Sequence, residues 1–505
     1  MKSSRPTRLT ALVLAIGLSV TGCAAGGSSS SEPTETLRLA AQNAPTSFAI
    51  GNWAGGETYL FTSVYDTIVT RDVDGTLIPA IAESWEYSND NTVLTLKIRD
   101  GQTFTDGEAL DAAAVVASLE VSRTAPATSG RLASISTVEA VDPSTVTITL
   151  SAADAALLPT FSTDAGAVGA PEKLTDESSQ LNPVGSGPYT LDQSATTVGS
   201  TYTLKRNPSY WDKDSYPFQT VTVQVIPDPT AVQNALQSGQ IDYAVATPET
   251  TSIFSDTSKY TVGSQNPQAI AGLWLADRAG TVVPELADLR VRQAINLALD
   301  REGVAENIQK GSNFPSNQVF NPNGKAFDKD RLSDTAYNVT NAKQLLADAG
   351  YADGFSVTMP STFLSTTYES TISQQLADIG ITVTWETVPF QDFYSKVFAG
   401  NYGMFFLYNG FGGDDSLDAK ANLSGVFNPF NTTTPELETL LKTANAAPPE
   451  DQGAAFQAVN KYLVDQAWFA PLGYTTGSYV ASTSITYTPA AVASLNLRPF
   501  TLASK

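Results

Sequence analysis

Histidine is absent from the 505 residues, and cysteine occurs once. Without imidazole there is no Ser-His-Asp triad, no histidine general base and no imidazole metal ligand. One cysteine allows no internal disulfide and no thiolate cluster for zinc or iron–sulfur. Bases are scarce too: 29 Lys and Arg stand against 51 Asp and Glu, a formal net charge of −22. That balance repels phosphate backbones, so no nucleic-acid partner is expected. Charged residues reach only 16% and hydrophobic ones 42%, which excludes a disordered polyampholyte and supplies several cores. At roughly 150 residues per domain, the length corresponds to about three domains. Carboxylate chemistry and pure ligand binding remain open.

Long apolar runs are also missing. The best candidate, Leu9 to Val20, follows Lys2, Arg5 and Arg8 and is too short to span a bilayer comfortably. It ends in Val20-Thr21-Gly22-Cys23, which resembles the lipobox of bacterial lipoproteins. There, small residues precede a cysteine that is lipidated and becomes the mature N-terminus. An ordinary secretory signal is the alternative, and it leaves the position of the lone cysteine to chance. Residues 1–22 are therefore expected to be a lipoprotein signal peptide, and Cys23 the lipid attachment site. Residues 23–36, rich in Gly and Ser, are the expected flexible tether. Each buried CH₂ of an acyl chain adds about 0.8 kcal/mol, so two or three chains anchor stably. Processing would remove three cations and no acids, leaving a side-chain charge of −25 on a body touching the membrane only through lipid.

The body reads as mixed α/β. Thr36–Ala41, Val93–Asp100, Thr145–Ser151, Thr201–Asn207 and Thr220–Pro227 alternate or are β-branched, as strands are. Ile241–Ala246, Ile381–Val388 and a short buried Phe405–Tyr408 complete the expected strands. Helices are expected over Tyr59–Thr70, Leu110–Arg123 with Asp111 as N-cap, and Pro229 onward to a stop at Gly239. Leu289–Lys310 reads as one long amphipathic helix or a pair. Asn341–Ala349, Thr366–Ile379, Pro435–Ala444 and Ala454–Gln466 follow. No 20–50-residue repeat is present, which argues for α/β lobes and against a solenoid or propeller.

Five ordered stretches carry a family resemblance. They are Val64–Glu120; Gly185–Gln193 continued by Thr201–Asp212; Leu289–Glu302; Ala342–Tyr351; and Gln374–Phe406. Together they resemble the signature segments of the peptide and oligopeptide substrate-binding proteins of bacterial ABC importers, solute-binding family 5. The likeness covers essentially the whole mature chain. Most of these residues have a plain structural role: Trp85 as core, Asp100-Gly101 and Asp106-Gly107 as turns, Arg290 and Arg292 as solvated or paired charges. The resemblance implies a two-lobed, type II periplasmic-binding-protein-like fold with an extra α/β subdomain. Lobe I would comprise residues 37–56, 182–266 and 472–505. The subdomain would be 57–181 and lobe II 267–471. It also implies closure of hinged lobes around a peptide or other small solute, and permease and ATPase subunits as partners. A monomer with no enzyme activity, no cofactor and no metal is expected.

In the peptide-binding branch an extended peptide adds to the cleft as a strand, and an Asp holds its α-ammonium. Spacing after the Phe405–Tyr408 strand places Phe411 at the family's Trp and Asp414 at the acidic anchor, although the aromatic is Phe and the usual acidic-Pro pair is absent. The plain alternative is a turn tip of solvated acids. Position alone adds Asn52, Trp53, Trp274, the stretch Trp385 to Phe390, Tyr408 and Asn409 as cleft candidates; aromatic residues are more often core than cleft. Other ligand classes stay open: an oligosaccharide, an opine or a nickel chelate, the last disfavoured by the absent histidine. A two-carboxylate glycosidase and a signalling receptor are the rivals from other classes.

Overall fold

The computed structural model describes residues 35–310, 313–492 and 495–503. The signal segment, Cys23 and nearly all of the tether lie outside the described residues. Among those described, no helix is long and apolar enough to cross a membrane.

Thr36–Ala41 is a strand because Leu37, Leu39 and Ala41 alternate inward. It pairs in parallel with Thr220–Val225, which continues antiparallel to Thr201–Arg206 and then Tyr189–Leu191. One apolar cluster joins Leu37 and Leu39 with Tyr189, Val221 and the late residues Leu497 and Phe500. A second sheet is antiparallel throughout, in the order Ala82–Ser88, Val93–Ile98, Thr145–Leu150, Ile135–Asp142. The helix Ala112–Thr124 covers one face of it, and Asp111 caps that helix by accepting from Ala114 N at 3.1 Å, as expected.

The third sheet is built on two long strands, Tyr260–Leu275 and Phe469–Ser482. Tyr243–Ala246 flanks one side and Met404–Gly410 the other. The two long strands slip register between Ser264 and Pro267 and again between Pro267 and Ala269. Proline has no N–H to give the ladder, so it belongs at such a bulge. Beyond the slip, Ala271 and Leu273 face one apolar cluster and Ile270 and Trp274 another. A parallel pair, Phe355–Ser361 with Ile381–Thr387, lies against Met404–Gly410.

Several expectations need correction. Tyr59–Thr70 is not one helix: the helix stops at Val64, Tyr65 turns extended, and Val69–Arg71 is a strand. Leu289–Lys310, by contrast, takes one of its two expected forms, a helix pair, Leu289–Ala298 and Arg301–Asn307, the second restarted by Asp300, which accepts from Gly303 N. Arg292 is not a surface charge. It is buried and donates to the carbonyls of Leu286, Ala287 and Gln466, closing loop and helix ends that have no other donor.

Candidate functional site

Three strands end at one place. Ala41 closes the first strand, Val225 its parallel partner and Ala246 the flanking strand of the third sheet. Residues just beyond, Gln42, Ile226 and Thr247, line a common cavity of about 460 Å³. The crevice beyond the carboxyl ends of strands is where open α/β sheets hold ligands, because main-chain groups there lack ladder partners. Its walls are aromatic: Tyr59, Tyr243, Tyr487 and Phe500. Tyr243 lies 4.5 Å from Tyr487 and 5.1 Å from Phe500, centroid to centroid. Burial pushes the Tyr243 hydroxyl pKa up, so it stays neutral. Gln265, on the long strand just before its register slip, fixes these rings. Its amide donates to the Tyr243 hydroxyl, and its carbonyl accepts from Tyr487 Oη at 2.9 Å. Among the described residues, Glu57 supplies the cavity's one carboxylate and no lysine or arginine lines it.

A second set of side chains sits at the carboxyl ends of the parallel pair. Phe363 follows Ser361 and is 68% exposed; Phe390 follows Thr387 and meets it edge to face at 4.8 Å. Phe363 shares a shallow cavity of about 410 Å³ with Tyr368 and Tyr408, whose hydroxyls are hydrogen-bonded at 2.8 Å.

The third set is acidic. After Met404–Gly410 the chain turns through Gly413, at φ +76°, into the helix Asp415–Asn422. Asp414 caps it: Oδ1 accepts from Ser416 N at 2.9 Å and from Ser416 Oγ. Asp414 also lines a cavity of about 260 Å³ with Asp74, Asn321 and Lys325. Behind it Asp418 accepts from Gly412 N and Asn321 N, and burial raises its pKa to about 7. Asp415 is raised to about 6, again chiefly by burial. Arg71, 3% exposed, reaches the turn from the strand Val69–Arg71 and donates to Gly413 O at 3.1 Å.

The residues chosen from sequence do not all meet. Trp274 is a correction: it is 1% exposed inside the long strand, packed on Phe427 and Phe469, and not a cleft residue. Trp53 packs on Phe48 and Phe61, and exposed Asn52 closes a turn onto Ala49 O. Trp385 is half-buried on its strand and donates Nε1 to Ser373 Oγ, which ties strand to helix. Asn409 is 7% exposed, its amide spent on Asn422 Oδ1. Phe411 is buried with its N–H on Gln268 O. Of the eight, Tyr408 and Asp414 line the cavities described above. Glu57, Tyr243, Tyr487 and Phe363 were missed, while Phe390 closes the candidate stretch from Trp385. Glu57 stands where a Gly-Gly precedes a helix, a local mark of an entry loop; nothing local marks the other three.

Comparison with known proteins follows the same geometry. Residues 76–434 match the family described as bacterial extracellular solute-binding proteins, family 5, middle region. The glutathione-binding protein GsiB of Escherichia coli strain K12 is 28% identical over 331 residues. That match spans 63% of this chain and 62% of the relative, so the chain covers under two thirds of the relative's length. Two solved structures share the fold. AgaA of A. tumefaciens R10, in complex with agropinic acid, superposes with TM-score 0.76 at 22% identity, over 93% of this chain and 99% of the other. DppA of Helicobacter pylori, in complex with the peptide STSA, gives TM-score 0.75 at 22% identity, over 93% and 98%. Both are periplasmic binding proteins, which gives the architecture its reading as a two-lobed α/β binding fold. The chain belongs to the family 5 bacterial extracellular solute-binding proteins.

Proposed function

We propose that this chain is the extracytoplasmic substrate-binding subunit of an ABC importer, capturing short peptides between two lobes and handing them to a membrane permease. Binding occurs without chemical conversion of the ligand. The observation that carries this reading is the cavity of about 460 Å³ at three strand ends, lined from the first lobe and the start of the added subdomain, beside two long strands that slip register between Ser264 and Ala269; in this reading it is the wall over which the second lobe closes. In this reading the hinge lies at those slips, between a first lobe of residues 37–56, 182–266 and 472–505 and a second of 267–471, with 57–181 as the added subdomain. Closure of such lobes is a two-state change a permease can read. Residues 1–22 act as signal peptide and Cys23 carries the lipid that holds the monomer at the cell membrane.

In this reading Asp414 receives the peptide's α-ammonium: Ser416 uses only Oδ1, and the Asp414 carboxyl lines its own cavity. Thermal melts with a mixed di- to hexapeptide pool test the proposal. Peptides should raise the Tm in proportion to the logarithm of concentration, by about 2.7 kcal/mol of stability at a hundredfold excess over Kd. A melt moved by sugars or opines and by no peptide overturns the peptide ligand. That second class, with the same transport role, is favoured by one observation. Arg71 stands beside Asp414 and offsets part of its charge, so a ligand lacking an ammonium also fits.

A further inference from the structure

We infer that the cavity at the three strand ends is a subsite for an organic cation, the ammonium or guanidinium of a basic side chain, held over tyrosine faces and paired with Glu57. This rests on the peptide reading and adds what the peptide must carry. The first support is the charge of the lining: among the described residues Glu57 is there and no base is. The second is that Glu57 is uncommitted. It occupies the N-cap of the helix Thr58–Val64 but makes no capping hydrogen bond, and among the described residues no ion pair engages it. The third is how the rings are held. Tyr243 and Tyr487 spend their hydroxyls on Gln265, and Tyr59 directs its own toward Ala40 O. The polar ends are thus tied into protein, which leaves the rings themselves to the cavity, and aromatic rings attract cations. The net negative charge of the whole chain works in the same direction over longer range.

Asp414 stands apart from this site. Ala490 lines the tyrosine cavity and Ala491 the acidic one, so the chain at these two residues forms a wall between them. One peptide can place its amino terminus at Asp414 and a basic side chain at Glu57 without competition.

The test uses purified full-length protein and an equimolar pool of tripeptides carrying Lys, norleucine or Glu once among alanines. Retained peptides are quantified by mass spectrometry after desalting. Wild type should retain Lys-containing members about tenfold over their norleucine counterparts, and Glu-containing members least. Glu57→Gln and Tyr487→Leu should erase that preference, read within each variant as the ratio of Lys-containing to norleucine-containing peptide retained; Tyr487→Phe, which keeps the ring, should preserve it. Retention of the pool without a Lys preference, or a preference that survives Glu57→Gln, overturns the cation subsite and leaves peptide binding standing. No retention of any member by wild type overturns the peptide reading itself and this inference with it.

Discussion

Asp418 lies buried between the N–H groups of Gly412 and Asn321 and holds its proton up to about pH 7; Asp66 and Asp415 hold theirs to about 6. Burial is the largest cause at all three, because it penalises the charged carboxylate. In the unfolded chain such groups titrate near pH 4. Between about pH 4 and 7 the folded state therefore binds more protons than the unfolded one, and stability falls as pH rises through that window. No histidine titrates there to mask the effect. The Tm should rise when pH is lowered from 8 to 5 at constant ionic strength, and a Tm that drops over that interval contradicts the assignment. A second prediction concerns Asp414. Asp414→Ala should weaken peptides with a free amino terminus about tenfold or more and leave N-acetylated ones unchanged, read by calorimetry; equal loss for both sinks the anchor. At this scale the sequence was legible for caps, since Asp111 needs only its own helix to act. It was not legible for Trp274, because a lone tryptophan looks the same whether it faces a core or a cleft, and partners as remote as Phe427 and Phe469 decide.

Elements bounded by local chemistry were also readable. The helix Pro229–Gln237 has proline at its first position, Asp228 capping Ala231 N, and Gly239 at φ +74° to stop it. The two long strands were missed for an equally physical reason. Tyr260–Leu275 carries Gly263, Pro267 and Gly272 and breaks its own alternation at each slip, so it exists as a strand only through pairing with residues some 200 positions away. The loop Gly185–Pro188 shows the reverse: its glycines fit a general strand-entry signal, while the structure adds close backbone approach. A Cβ on Gly185 would collide with the Val64 carbonyl, and one on Gly187 would sit 2.5 Å from Ser63 O. Gly187→Ala should cost about 1–3 kcal/mol in denaturant melts, through overpacking against backbone that cannot yield. Contacts between elements lead to a further expectation. Lys420, on the helix Asp415–Asn422, pairs at 2.8 Å with Asp154, which follows the strand Thr145–Leu150. Both groups are partly screened, so Lys420→Ala should weaken ligand binding only about two- to fivefold, with no added loss when Asp154→Ala is combined with it. Additive losses would show that the pair does not act as one latch.

At the scale of the whole molecule, composition narrowed the chemistry open to the chain, and the ordered family segments said what kind of fold to expect. Ligand chemistry was the part least visible in sequence. The cavity is assembled from residues 39 to 59, 226 to 250 and 487 to 500, none of which carries a binding signature alone. Its character appears only when the rings of Tyr243, Tyr487 and Phe500 meet. The central claim is capture of a short peptide by this assembled site. Mass spectrometry of small molecules released on denaturing the purified, undialysed protein tests it most directly. The account predicts short peptides with free amino termini, near one equivalent per chain and enriched in Lys or Arg. Release of a sugar, an opine or another non-peptide solute at that stoichiometry would contradict it.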